Sequence, residues 1–101
     1  MPKVLKRPQA ETDLDDIWWY IAQDNPDNAD RLLDKIEERC QWLAQFPRMG
    51  VSREELAHGL LSLAVGNYLI FYLPIDDGIE VVRVMSGMRD MDAVFCLVNN
   101  P

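Results

Sequence analysis

Only two cysteines, one histidine and no long apolar run occur in this chain, and each scarcity removes a class of protein. Cys40 and Cys96 stand far apart, and a lone pair in 101 residues is a poor disulfide framework, so both read as reduced thiols. His58 and two separated cysteines give no ligand spacing for zinc, and the aspartates lack the alternating, glycine-centred loop that calcium requires. No window approaches the ~20 apolar residues of a membrane span. The basic start MPKVLKRP has no apolar run behind it, so a cytoplasmic protein without membrane association is expected. There is no GxSxG, no glycine loop to cradle phosphate and no cysteine beside a histidine, which removes the common hydrolase and transferase designs. Ser86-Gly87 reads as a turn and His58 as a surface loop residue. No cofactor is implied.

Acidic residues are abundant. Ten Lys and Arg against 17 Asp and Glu give a net charge of -7, so the average surface repels phosphate backbones and direct nucleic-acid binding is not expected. Residues 9–38 hold ten acids (Glu11, Asp13, Asp15, Asp16, Asp24, Asp27, Asp30, Asp34, Glu37, Glu38) against Arg31 and Lys35 alone. Length and an ordinary globular composition fit one domain spanning residues 1–101, with residues 98–101 fraying.

Within the acidic segment the apolar residues are periodic. Leu14, Ile17, Trp18 and Ile21 form a helical stripe between Gln9 and Asp24, and Asn25-Pro26 supplies an N-cap and first-turn proline for a second helix. The second stripe, Ala29, Leu32, Leu33, Ile36, Cys40 and Leu43, runs to about Phe46, where Pro47 and Gly50 break it. So short a link predicts a helical hairpin. Ser52 and Glu55 have capping-box spacing and suggest a single helical turn. Thereafter 60–65, 68–73 and 79–85 read as strands, joined by hairpin connections at Gly66-Asn67 and 74–78. With Lys3–Lys6 as an edge strand, the expected fold is α+β: an N-terminal strand and a helical hairpin packed on one face of a small antiparallel sheet, in the order β-α-α-β-β-β.

Strict alternation in the last strand puts Ile79, Val81, Arg83 and Met85 on one face and Glu80, Val82 and Val84 on the other. Both faces are mostly apolar, but a chain of this length has one helical layer to offer. The second face should then be covered by a binding partner. Arg83, inside that strand, needs a carboxylate or carbonyl partner or an anionic ligand, supplied locally by Asp90 or by an outside chain. Trp19 and Trp42 turn away from their stripes, as interface anchors do.

Taken in order, DLDDIWWYIA (13–22), DNPDNADRLLDKI (24–36), FPRMG (46–50), NYLIFYL (67–73) and DDGIEVVRVMSGMRD (76–90) resemble the ParE branch of the RelE/ParE toxin superfamily. The resemblance implies a bacterial type II toxin with the fold above, an inhibitor of DNA gyrase. A ParD-like antitoxin would neutralise it by wrapping a C-terminal segment across an apolar groove. It implies target contacts among Arg83, Ser86, Arg89 and Asp90, and antitoxin contacts among Trp19, Trp42, Tyr68, Tyr72, Met85 and Met88.

RelE-like relatives instead cut messenger RNA on the ribosome. That chemistry needs an acid or base and several cations on one sheet face, yet from residue 48 onward the cations are Arg48, Arg53, Arg83 and Arg89, with Tyr68 and Tyr72 as the available hydroxyls. A protein-directed inhibitor is therefore expected, with an mRNA interferase or a degenerate toxin that only binds antitoxin as alternatives. Leu61, Asn67 and Ser86 stand where many relatives carry two basic residues and a histidine.

Overall fold

The Asn25-Pro26 pair turns the chain back on itself. The Asn25 side chain accepts a hydrogen bond from the Asn28 N–H at 3.2 Å, and Pro26 fills the first turn of the second helix. The computed structural model describes residues 2–87, and Met88, Arg89, Asp90 and Cys96 lie outside them. The elements are β1 (Lys3–Lys6), α1 (Pro8–Ala22), α2 (Pro26–Gln45), β2 (Val51–Ser52), β3 (Leu61–Val65), β4 (Tyr68–Ile75) and β5 (Gly78–Ser86). The indole N–H of Trp18 donates to Asp30 at 2.8 Å and ties the two helices together. No helix among the described residues is long and apolar enough to cross a membrane.

All five strands join one sheet in the order β1-β5-β4-β3-β2. β1 lies at an edge, as expected, but it runs parallel to β5, so the sheet is mixed and not wholly antiparallel. The helical hairpin carries the chain back over the sheet before β5 is laid beside β1, and a crossover of that kind permits parallel pairing. β1 meets β5 so closely that a Cβ on Gly78 would overlap the Lys3 backbone. Gly78 has φ +153°, a value side-chain-bearing residues rarely adopt.

Two local readings are corrected. Ser52 does not cap a helical turn; it belongs to β2, and the following turn closes on the Arg53 carbonyl, which accepts from Leu56 and Ala57 at 2.9 and 3.2 Å. The alternation of β5 also fails midway. Phe71 of β4 lies opposite Arg83, but Tyr72 lies opposite Val81, leaving Val82 as an extra residue in a bulge. Val82 and Met85 consequently share one face, while Ile79, Val81 and Val84 share the other.

The two faces bury separate cores. Ile17, Ile36, Cys40 and Leu43 of the helices cover Ile70, Tyr72, Ile79, Val81 and Val84. On the opposite face Leu60, with Leu56 and Ala57 of the 53–60 segment, covers Phe71, Val82 and Met85. The chain thus hides its own second face, and the expectation that a partner must cover the Val82–Met85 side is overturned. The connection between β2 and β3 supplies the missing layer.

Tyr72 stands at the centre of this arrangement and is fully buried. Its hydroxyl donates to the Pro47 carbonyl at 2.8 Å and accepts from the Gly50 N–H at 2.9 Å. Gly50 must be glycine because a Cβ there would collide with the hydroxyl and with the Ser62 carbonyl. Burial pushes the Tyr72 phenol above its ordinary value, opposed by the Gly50 hydrogen bond, so it remains a neutral donor. Lys6 donates to Glu37 at 2.8 Å, and this bond draws the Glu37 carboxyl below the usual range despite its partial burial.

Tyr72→Phe keeps the ring but orphans the Gly50 N–H and the Pro47 carbonyl, for an expected loss of about 1–3 kcal/mol in urea-unfolding stability. The Cys40 thiol is pushed up to about 11, chiefly by burial and secondarily by nearby Glu37. At pH 8 it is thiolate in only about one molecule in a thousand. In a Cys96→Ser background, Cys40 should react with an aromatic disulfide reagent only at the rate of unfolding, and urea should accelerate the reaction; fast labelling of the native protein would show that the helix–sheet core is open.

Candidate functional site

β1 ends before β5 does. Its last backbone contact to β5 is the Arg7 N–H donating to the Val81 carbonyl at 3.0 Å, beyond which the edge of β5 has no neighbouring strand among the described residues. Asp13 of α1 takes over. Its Oδ2 accepts the Val84 N–H at 3.0 Å and Arg83 Nε at 2.7 Å, while Oδ1 accepts Arg83 Nη2 at 2.9 Å. The side chains of Arg83 and Asp13 are only 13% and 14% exposed, so this bidentate pair is largely shielded from water. Hydrogen bonding to Asp13 holds the Arg83 guanidinium above its ordinary value and outweighs the opposing effect of burial.

Among the described residues the carboxylate that meets Arg83 is therefore that of Asp13. Asp13 falls on the margin of the α1 apolar stripe, four residues before Ile17 and therefore on its side of the helix. A carboxylate in that arc needs a cation, and Arg83 is the one embedded in a strand. That signal was available in the sequence. Bulging at Val82 adds what the sequence does not mark, because it lets Arg83 and Val84 present consecutive donors to one carboxylate.

A groove of about 440 Å³ opens beside this pair, lined on α1 by Asp13, Asp16, Ile17 and Tyr20 and on the sheet by Tyr68, Val84, Met85 and Ser86. The α1 residues follow i, i+3, i+4, i+7 spacing, which places them on one helix face. The floor is apolar. Asp16 has no ion pair among the described residues, and Tyr20 is 73% exposed at the rim. Such a groove can hold an apolar segment, but it offers phosphate two carboxylates and one neutralised arginine.

The structure gathers some of the sequence candidates and scatters others. Tyr68, Met85 and Ser86 meet in the groove next to the Asp13–Arg83 pair, although Met85 is buried and contributes only floor. Tyr72 cannot touch a partner, because it is enclosed in the core. Trp19 is 66% exposed and stacks edge-on against Trp18 with ring centroids 5.2 Å apart, outside the groove lining. Trp42, expected at an interface, is half-buried against the helix–sheet core and tilted onto Phe46 at 5.7 Å. Arg89, Asp90 and Met88 lie outside the described residues. Asp13, Asp16, Ile17 and Tyr20 were not singled out as site residues from the sequence.

Residues 4–91 match the family described as the ParE toxin of type II toxin-antitoxin system, parDE. Toxin ParE1 of Mycobacterium tuberculosis is 29% identical over 97 residues, covering 89% of this chain and 94% of its own. Toxin ParE1 of Caulobacter vibrioides is 31% identical over 78 residues, covering 76% of this chain and 80% of its own. Among solved structures, a chain of the chromosomal ParDE TA system from P. aeruginosa superposes with a TM-score of 0.70 at 21% identity, over 85% of this chain and 96% of that one, which establishes a shared fold.

Because Arg83 is bonded to α1, a substitution there should disturb the fold as well as any function. Asp13→Ala leaves a shielded guanidinium and the Val84 N–H without a partner, with an expected loss of about 3 kcal/mol in urea-unfolding stability. The double variant Asp13→Leu with Arg83→Met should recover part of that loss; a Asp13→Ala protein as stable as the parent would mean the pair is dispensable.

Proposed function

This chain belongs to the ParE toxin family of type II toxin–antitoxin systems, and we propose that it inhibits DNA gyrase in the cytoplasm and is neutralised by a ParD-like antitoxin. The observation that carries this reading beyond family membership is the Asp13–Arg83 pair. By neutralising the arginine at the end of β5, it leaves the neighbouring groove without a free cation among the described residues and with an unpaired carboxylate, Asp16.

Cutting RNA without a metal demands an acid–base pair and cations converging on the phosphate. Among the described residues the groove has neither, and the hydroxyl groups that line it are those of Tyr20, Tyr68 and Ser86. A net charge of -7 acts in the same direction, since it opposes approach to RNA or the ribosome. Inhibition by binding a protein asks less of these residues. An apolar floor with a polar rim is the surface that protein partners use, and an antitoxin segment seated there would lie beside Tyr68 and Ser86.

Expressing the chain alone in bacteria should cause filamentation and arrest of DNA synthesis with messages intact, and purified protein should inhibit supercoiling by gyrase. Co-expression of a ParD-like partner should restore growth. Rapid translation arrest with cut transcripts would replace this reading with an mRNA interferase, and absence of toxicity at verified expression would leave a module that only binds antitoxin.

A further inference from the structure

Among the described residues Arg31 and Lys35 lie amid the acids of α2 and form no ion pair, and the remaining lysines and arginines divide by location. Lys3, Lys6, Arg7 and Arg83 are each paired with a carboxylate, on Asp77, Glu37, Glu80 and Asp13 respectively. Arg39 and Arg48 form no ion pair among the described residues, and Arg53 donates to the Ser62 hydroxyl at 2.9 Å instead of to an acid. These last three are also neighbours in sequence. Residues 39–53 hold three arginines and no acid, immediately after a segment of the opposite character.

Apolar side chains emerge in the same place. At roughly 100° per residue, Arg39, Trp42 and Phe46 fall within one arc of α2. Phe46 is 50% exposed and rests against Trp42, and beyond the helix Met49 and Val51 are 60% and 62% exposed. The loop that presents them is held rigidly by the buried Tyr72 hydroxyl through Pro47 and Gly50. Exposed apolar residues on a fixed loop, with Arg39 and Arg48 close by in sequence and in no ion pair among the described residues, have the composition of a protein-docking surface. Pre-organisation lowers the ordering cost of binding there.

We propose that Arg39, Phe46, Arg48, Met49 and Val51 form a docking site for an acidic protein segment with apolar side chains, distinct from the groove beside Asp13. Tyr72, behind this surface, and Tyr68, in the groove, are both on β4, four residues or roughly 13 Å apart along the strand. Charge selects the occupant. Screening confines the field of each charge to about 10 Å at moderate salt, so a short acidic segment responds to the arginines it touches more than to the acids farther along the hairpin. A nucleic-acid backbone, being longer, would meet both.

The test titrates the full chain with a short labelled peptide of alternating Glu and Leu, alongside its Lys counterpart, a single-stranded oligonucleotide and sedimentation of the protein alone. The Glu peptide should bind about tenfold or more tightly than the Lys peptide and weaken as salt rises. Arg39→Gln with Arg48→Gln should remove this preference, and Met49→Ser with Val51→Thr should weaken binding about tenfold. All four positions are exposed, so each variant should keep the parent Tm. Binding unchanged in both variants would overturn the proposal. So would tighter binding of the oligonucleotide, or self-association of the chain that the same substitutions abolish.

Discussion

One carboxylate decides how the helices sit on the sheet. Asp13 accepts two hydrogen bonds from Arg83 and one from the Val84 backbone, so it both neutralises a sheltered cation and completes the edge of β5 where β1 has ended. Each need would be costly if unmet, because a buried N–H and a desolvated guanidinium carry penalties of about 1–3 kcal/mol or more. Meeting both with one side chain fixes α1 to a particular point on β5. The groove between Ile17 and Tyr20 on one side and Tyr68 on the other is a result of that placement. Stability and the candidate site therefore share an anchor, and residues that appear functional in sequence are also structural.

A second constraint acts through the Val82 bulge. Without the extra residue, β5 would send Met85 to the helical face and Val84 away from it. With it, Val84 joins Ile70 and Ile79 under the helices, and Met85 joins Phe71 under the 53–60 segment. Two small cores result from one slipped position. Ser62 and Tyr72 then link the second layer to the helix-terminal loop, through Arg53 on one side and through Pro47 and Gly50 on the other.

Elements whose signals are local could be read from sequence. The two helices, the Asn25 cap, the hairpin strands and the edge position of Lys3–Lys6 all follow from spacing, capping and turn residues. The parallel direction of β1 was not legible, because a lone edge strand carries no mark of its neighbour's direction. Nor was the bulge, since Val81-Val82 contains no glycine to announce it. Missing the bulge led directly to the wrong faces for Val84 and Met85, and missing the layer formed by residues 53–60 led to an apparent excess of uncovered surface. Asp13 shows the reverse case, an acid on an apolar stripe that pointed to Arg83. Of the candidate site, Tyr68 and Ser86 were legible as strand-end residues, whereas Ile17 and Tyr20 became visible only once α1 had a position over the sheet.

The strand that everything else leans on is also the last in sequence among the described residues. β5 lies between β1 and β4, and it pairs Gly78 with Lys3 across nearly the whole described chain. On the ribosome, β1 and the helical hairpin emerge first but have no β5 against which to settle. Their apolar stripe, from Ile17 to Leu43, stays uncovered until the final hairpin appears. A nascent chain interrupted before residue 78 lacks the groove and the Asp13 bond alike. The molecule therefore acquires its groove, and the contact that fixes it, only once β5 has been made.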